Sequence, residues 1–545
     1  MAVNPSADAP AASIQQQLDD LFAPWSRTDA PGLSVGVVKD GAPLYRRGFG
    51  MASLESGTQI TPVTKLRIGS TTKHFTALLA LLLEEDGKLD LDAPIRTYLP
   101  ELTGPGGDPS LRLLLQHRGG SRCYLDLGFI AHGVAIAPVG RALEMQVRQR
   151  DRNFPVGEAM IYNNGGYHLV SLAIERAGGA SLGDQMKSRL FDVIGMPNTE
   201  LVLSDYALVP GMATCHLPLP DGGWRRGIFP TEDIKGEGGL VSNIDDMLRW
   251  IAHLRSQDRF GARASWEALF SQPVYPDGTT GCYGLGIMVG TYRGASVFHH
   301  GGGVAGGSSE MMSFPDHGLD IAVLINGARG ADPNALALKV ADIVLGDALT
   351  DRPGPVDTGP YRSLLGYWWS DATGMIYELR DEQDTLKIGL CGTPIGFNLE
   401  AVDPDHVQMA LGGFRDVTLN LTAGLETGTI PIRFGISTDS YVRVTPDSSR
   451  DAPLKTRAVG RYDCHDADCT AEIFLKDGAL AMTIGDGFGQ SRGKLKILGE
   501  TAALLRIPAP YFPVFAALSF DADAPVSSGF RLCTGRTRNL RFKRV

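Results

Sequence analysis

Long apolar runs are missing from this sequence: the longest, ALLALLL from Ala77 to Leu83, falls far short of the roughly 20 residues that a bilayer-spanning helix needs. No membrane association is expected. The opening MAVNPSADAPAAS has no basic stretch followed by an apolar one, so no secretory leader is expected there and a cytoplasmic setting is. Cysteine is scarce, with seven residues scattered at no framework spacing, which excludes a disulfide scaffold and fits free thiols in a reducing compartment. The one cysteine cluster, CHDADC from Cys464 to Cys469, lacks a second Cys or His pair to complete four ligands, so no metal is expected. Lys/Arg clusters are also absent, and a net charge of −10 excludes a protein that tracks phosphates, so nucleic acid is not an expected partner.

What remains is an ordinary globular composition, 43% hydrophobic and 21% charged, over 545 residues, enough for more than one domain. Residues 1–350 mix strand and helix signals. LSVGVVKDGAPLYRRGF reads as a hairpin around Lys39-Asp40-Gly41, and helical patterns follow Ser70 and fill YHLVSLAIERAGG and DDMLRWIAHL. The later runs GLGIMVG, ASVFHH, GGSSEMMSF and LDIAVLING are strand-like, so an α/β unit is expected whose antiparallel sheet draws on both ends of the domain. TDRPGPVDTGPYRS reads as a linker. Beyond it, stretches beginning at Gly366 and Gly460 resemble each other, each a glycine before an aromatic, an acidic turn and alternating strands. Two small antiparallel β domains, barrel-like, are expected over 351–455 and 456–545.

Ser70 stands three residues before Lys73 in GSTTKHFTALLALLLEEDGK, and a helix starting there would put hydroxyl and amine on one face. A capping serine is the competing reading, and one or two S-x-x-K matches arise by chance in a chain this long; Ser491 to Lys494 is one such decoy. Two further motifs lie downstream: Tyr162-x-Asn164 on a loop leading into a helix, and His300-Gly301-Gly302-Gly303 on a strand that glycines would let a ligand approach.

In this order and spacing the three motifs resemble the serine β-lactamase/penicillin-binding fold family, and within it the D-stereospecific aminopeptidase branch. GKLDLDAPIRTYLPEL, FPVGE, GMPNTE and HHGGGVAGGSS add to the likeness, and GRYDCHDADC and RNLRFKRV extend it through the two carboxy-terminal β domains. The resemblance implies a serine hydrolase acting through an acyl-enzyme, with Ser70 as nucleophile, Lys73 and Tyr162 moving protons, and Asn164, His300, Gly302 and Gly303 binding substrate. The backbone N–H groups of Ser70 and Gly303 would form the oxyanion hole. His300 stands where many relatives carry Lys, which relaxes a demand for a substrate carboxylate. It further implies no cofactor, a small peptide or amino-acid amide or ester as substrate, and a homodimer.

Two departures bear on specificity. In the aminopeptidase branch a loop of the last β domain enters the site with an Asp that reads the substrate's amino group. The corresponding stretch appears in RIPAPYFPVFAALSF, where no acidic residue lies between Arg506 and Phe520. Pro508, Pro510, Tyr511, Phe512, Pro513 and Phe515 would instead offer aromatic walls. Asp486 is a carboxylate that nothing in the sequence places at the site. Gly119-Gly120, where many relatives have Ser-Gly, suggests room for a bulkier substrate. The expected activity is release of amino-terminal D-residues from peptides, amides or esters. An esterase, D-amino-acid amidase, weak β-lactamase or DD-peptidase is the alternative, and a β-lactam-acylated sensor the non-enzymatic one.

Overall fold

The strands Leu33–Lys39 and Ala42–Phe49 join at Asp40 and Gly41, whose φ values of 52° and 80° are the paired left-handed residues of a type I′ turn. This computed structural model describes residues 13–351, 354–410, 417–446, 451–509, 511–521 and 526–545. The hairpin forms one end of a six-stranded antiparallel sheet. Its order is Met288–Tyr292, Ala295–Val304, Gly307–Phe314, Leu319–Ile325, Leu33–Lys39 and Ala42–Phe49. Leu33 faces Ile325 and Lys39 faces Leu319, so the first and last strands of the domain pair centrally, as the strand-like runs at both ends imply.

Helices cover both faces. Ile14–Phe22 and Pro333–Leu345 close one side over Val35, Ile321 and Val323. On the other side Lys73–Glu85 is buried at every position from Lys73 to Leu83, the consequence of a helix that is apolar all round. Phe75 stacks on Trp250 of Ile244–Ser256 at 3.8 Å, fixing that central helix against the one that lies on the sheet.

Two closed eight-stranded antiparallel barrels follow, running from Gly366–Trp369 to Ser437–Val444 and from Gly460–Cys464 to Leu540–Arg544. Gly366 and Gly460 open their respective first strands, which is the duplication visible in the sequence. The barrels bear on the first domain. Fully buried Arg122 gives Nε and Nη2 to the carbonyls of Arg538 and Asn539 at 3.0 and 3.1 Å and pairs through Nη1 with Asp466 at 2.9 Å. Asp468 takes Arg141 at 3.0 Å and Arg148 at 2.6 Å. The CHDADC hairpin thus uses its carboxylates as a clamp, with Cys464 opposite Cys469 on its two strands. From the first barrel, the Ile436 N–H donates to the Glu158 carbonyl at 3.0 Å and Phe434 meets Phe154, bracing the loop before Tyr162. No helix among the described residues is long and apolar enough to cross a membrane.

Candidate active site

Ser70 and Lys73 meet, though not on the α-helix that the spacing predicts. Gly69–Thr72 is a 3-10 turn and the α-helix begins at Lys73. A 3-10 turn eclipses positions i and i+3, so the tighter winding stacks the two side chains more directly than an α-helix would. Lys73 Nζ lies 3.1 Å from Ser70 Oγ, 2.8 Å from Asn164 Oδ1 and 2.5 Å from the Glu237 carbonyl. Asn164 opens the helix Asn164–Gly178, which packs on Lys73–Glu85 and delivers its amide from the opposite side.

Tyr162, two residues earlier, brings its hydroxyl beside Ser70. Its ring lies 4.8 Å from Lys73 Nζ and 4.2 Å from the His117 ring. His117 has a left-handed backbone, φ 61°, and its Nδ1 accepts the Asn163 N–H at 3.1 Å, which sets the chain direction on the approach to Asn164.

Burial separates the proton affinities of the two groups beside Ser70. Lys73 is completely enclosed, and desolvation of its charge brings the amine down to about 7, with Glu237 and Cys123 opposing the fall and Arg536 adding to it. Burial also penalises the ionised phenol, so the Tyr162 hydroxyl rises above its ordinary range despite the nearby Ser70 hydroxyl and the Arg536 charge. Burial pushes the Glu237 carboxyl up, but His168 and a hydrogen bond from Tyr124 Oη at 2.5 Å outweigh it and hold the group below the usual carboxylate range. Glu237 is absent from the sequence reading. Its signal, a lone acid among glycines in KGEGGL, is weak because the atom that touches Lys73 is its backbone carbonyl.

The strand Ala295–Val304 brings the third motif alongside. A Cβ on Gly302 would stand 1.9 Å from the Ile68 carbonyl oxygen, whereas one on Gly303 would meet nothing within 4 Å. Only a bare backbone at 302 lets the Ser70 turn press against the sheet. Gly302→Ala is therefore expected to destabilise the protein by about 1–3 kcal/mol and to cost about 100-fold in rate by displacing Ser70. Gly303→Ala leaves the melting temperature unchanged; thermal denaturation of both variants checks this. His300 is buried, with Nε2 on Tyr283 Oη at 2.8 Å and Nδ1 on the Gly301 carbonyl at 2.6 Å, and desolvation holds it well below the usual histidine range. Both of its ring nitrogens are engaged by the protein.

The aromatic segment lies differently from the expectation. Tyr511 Oη donates to the Ile228 carbonyl at 2.9 Å, and Phe512 packs on Phe129 at 4.7 Å and on Phe229 at 6.2 Å. Phe515 belongs to the strand Val514–Phe520, Pro508 and Pro513 are exposed at the loop's ends, and Pro510 lies outside the described residues. These aromatics dock the last barrel onto the catalytic domain. Asp486 is likewise engaged, with His132 Nδ1 at 2.8 Å and Arg141 at 3.5 Å. Gly119 opens no room either, since a Cβ there would stand 2.6 Å from Leu114 Cδ2. A different turn of the last barrel, 534–539, enters the site and sets the Arg536 guanidinium 5.2 Å from the centre of the Tyr162 ring. TGRTRNL carries no pattern that announces this.

Over residues 12–345 the sequence matches the family described as Beta-lactamase. A D-aminopeptidase of Cereibacter sphaeroides is 29% identical over 507 residues, 91% of this chain and 90% of its own. A D-aminopeptidase of Brucella anthropi is 28% identical over 359 residues, 64% of this chain and 66% of its own. The octameric penicillin-binding protein homologue from Pyrococcus abyssi shares the fold at a TM-score of 0.53 and 20% identity, over 97% of this chain and 99% of that one. The D-amino acid amidase from Ochrobactrum anthropi SV3, complexed with L-phenylalanine amide, does so at 0.51 and 22% identity, over 61% and 97%. With more than half of the chain inside the family match, and the Ser70, Lys73 and Tyr162 side chains converging within it, the protein belongs to the beta-lactamase family and is a serine hydrolase.

Proposed function

We propose that the protein releases amino-terminal D-residues from short peptides, amides or esters through an acyl-enzyme on Ser70. The substrate class follows the likeness to D-aminopeptidases, and the observation that carries the acyl-enzyme is the set of partners around Lys73 Nζ. Asn164 Oδ1 and the Glu237 carbonyl can only accept, so a neutral amine gives them its two N–H bonds and turns its lone pair to the Ser70 hydroxyl. With Lys73 down at about 7, roughly half of it is in that form at neutral pH.

Lys73 takes the Ser70 proton as Oγ attacks the carbonyl carbon. Tyr162, kept protonated by burial, then gives its proton to the departing amine and is reprotonated from Lys73. Water repeats the sequence on the ester, restoring Ser70. The N–H groups of Ser70 and Gly303 bind the oxyanion, each contributing about 3 kcal/mol in the transition state.

A second reading, a broader esterase or amidase, is favoured by one observation: no carboxylate stands on the 506–520 segment, and Asp486 is held by His132 and Arg141. Rates on D-alanine anilide, its L-isomer and the N-acetylated D-form separate the two. Turnover of the free D-anilide at least about tenfold above both others supports the aminopeptidase. Equal rates on the acetylated form support the broader hydrolase.

A further inference from the structure

We propose that Arg536 is a specificity-determining residue that captures the carboxylate of the departing residue, making short D-peptides with one residue beyond the scissile bond the favoured substrates. The inference rests on the hydrolase reading of Ser70 and names the substrate class of that same site.

The turn that carries Arg536 is fixed by its backbone. Asn153 Nδ2 donates to the Arg536 carbonyl at 2.8 Å, and Asn153 Oδ1 accepts the Arg538 N–H at 2.8 Å. Thr534 Oγ1 accepts the N–H groups of Arg536 and Thr537 at 3.1 and 2.9 Å. Buried Arg122 holds the carbonyls of Arg538 and Asn539. Six hydrogen bonds thus pin a short turn while the Arg536 side chain itself stays exposed.

The guanidinium approaches Tyr162 at 5.2 Å from the ring centre, and Lys73 Nζ approaches the same ring at 4.8 Å. Two basic groups sharing one ring are unfavourable when both are charged, and among the described residues no carboxylate lies within ion-pair distance of Arg536. The buried carboxyl of Asp126 feels its charge without touching it. An arriving carboxylate would supply the missing partner in the two-pronged geometry that a guanidinium fits best.

The proposed role of Tyr162 says which carboxylate. With Tyr162 as the donor to the leaving nitrogen, Arg536 over the same ring is assigned to the leaving-group side. In a free amino acid leaving group the carboxyl carbon is two bonds from that nitrogen. A longer peptide or an amide would place an uncharged group there and desolvate the guanidinium without a counter-charge, which is the condition under which a polar site rejects an analogue.

The test compares D-Ala–D-Ala with D-Ala–D-alaninamide, by kcat/KM on wild type, Arg536→Gln and Arg536→Glu, and by calorimetric affinity on Ser70→Ala with and without Arg536→Gln. The acid is expected to exceed the amide by at least about tenfold in both measurements. Arg536→Gln should bring the ratio to within about twofold of unity and Arg536→Glu should invert it. A wild-type ratio near one, or a preference that survives Arg536→Gln, overturns the proposal while anilide turnover by Ser70 stands. Acid-selective, Arg536-dependent binding with no Ser70-dependent turnover of any substrate would uphold the carboxylate site and overturn the hydrolase reading instead.

Discussion

Ser70→Ala is expected to reduce turnover of D-alanine anilide by about 10⁴-fold or more, with little change in melting temperature. The opposite result belongs to a capping serine, whose loss costs about 1 kcal/mol of stability and leaves chemistry alone. The structure already weakens the capping alternative. The 3-10 turn is flanked by Ile68 and Lys73, the α-helix is flanked at its start by Thr72, and neither amino end is held by a side-chain cap. Ser70 Oγ instead has Lys73 Nζ at 3.1 Å as its partner, with the Tyr162 side chain beside it. Residual rate in Ser70→Ala measures what the backbone donors and binding supply without a nucleophile. Intact-protein mass spectrometry gives a second readout. A D-residue ester should leave a transient acyl mass on the wild type and none on Ser70→Ala. A permanent β-lactam adduct with no turnover of any substrate would mark a sensor.

Local chemistry was the legible part of this site. Ser70 and Lys73 are three residues apart, and any helical winding stacks them; the Tyr162 and His300 motifs gained meaning through family likeness. Alternation along each strand announced β domains, but closure depends on pairs such as Tyr367 with Val444 and Tyr462 with Arg544, which are far apart in sequence. The same distance hid Arg536, whose position follows from barrel closure and from Arg122 and Asn153 in another domain. The aromatics at 511–515 misled for a physical reason: an apolar loop can seal an interdomain contact as well as line a substrate pocket, and Phe129 and Phe229 supply the surface. Glu237 was hidden because its carbonyl, which any residue type could provide, is what touches Lys73.

The remaining large effect concerns Lys73 and its counter-charge. Lys73→Ala should cost about 10²- to 10⁴-fold in kcat/KM, the worth of a positioned general base. In the wild type, kcat/KM should rise tenfold per pH unit below about 7 and level above it, because only the unprotonated amine has a lone pair for Ser70. Stability should follow the same titration. Between about 7 and the ordinary lysine value of 10.5 the unfolded chain binds one more proton than the folded one, so unfolding free energy rises with pH across that window. The buried amine is most costly on the acid side, and any stability advantage of Lys73→Met over wild type should shrink as pH increases. Glu237 discriminates a chemical role from scaffolding. Its charge holds the Lys73 value up, so Glu237→Gln, which keeps the shape and the carbonyl, should move the acid limb of kcat/KM to lower pH. A scaffold defect would lower the rate at every pH and leave the limb where it was. Full activity persisting well below pH 6 in the wild type would remove Lys73 as the base, since a buried ammonium has no lone pair to accept the Ser70 proton.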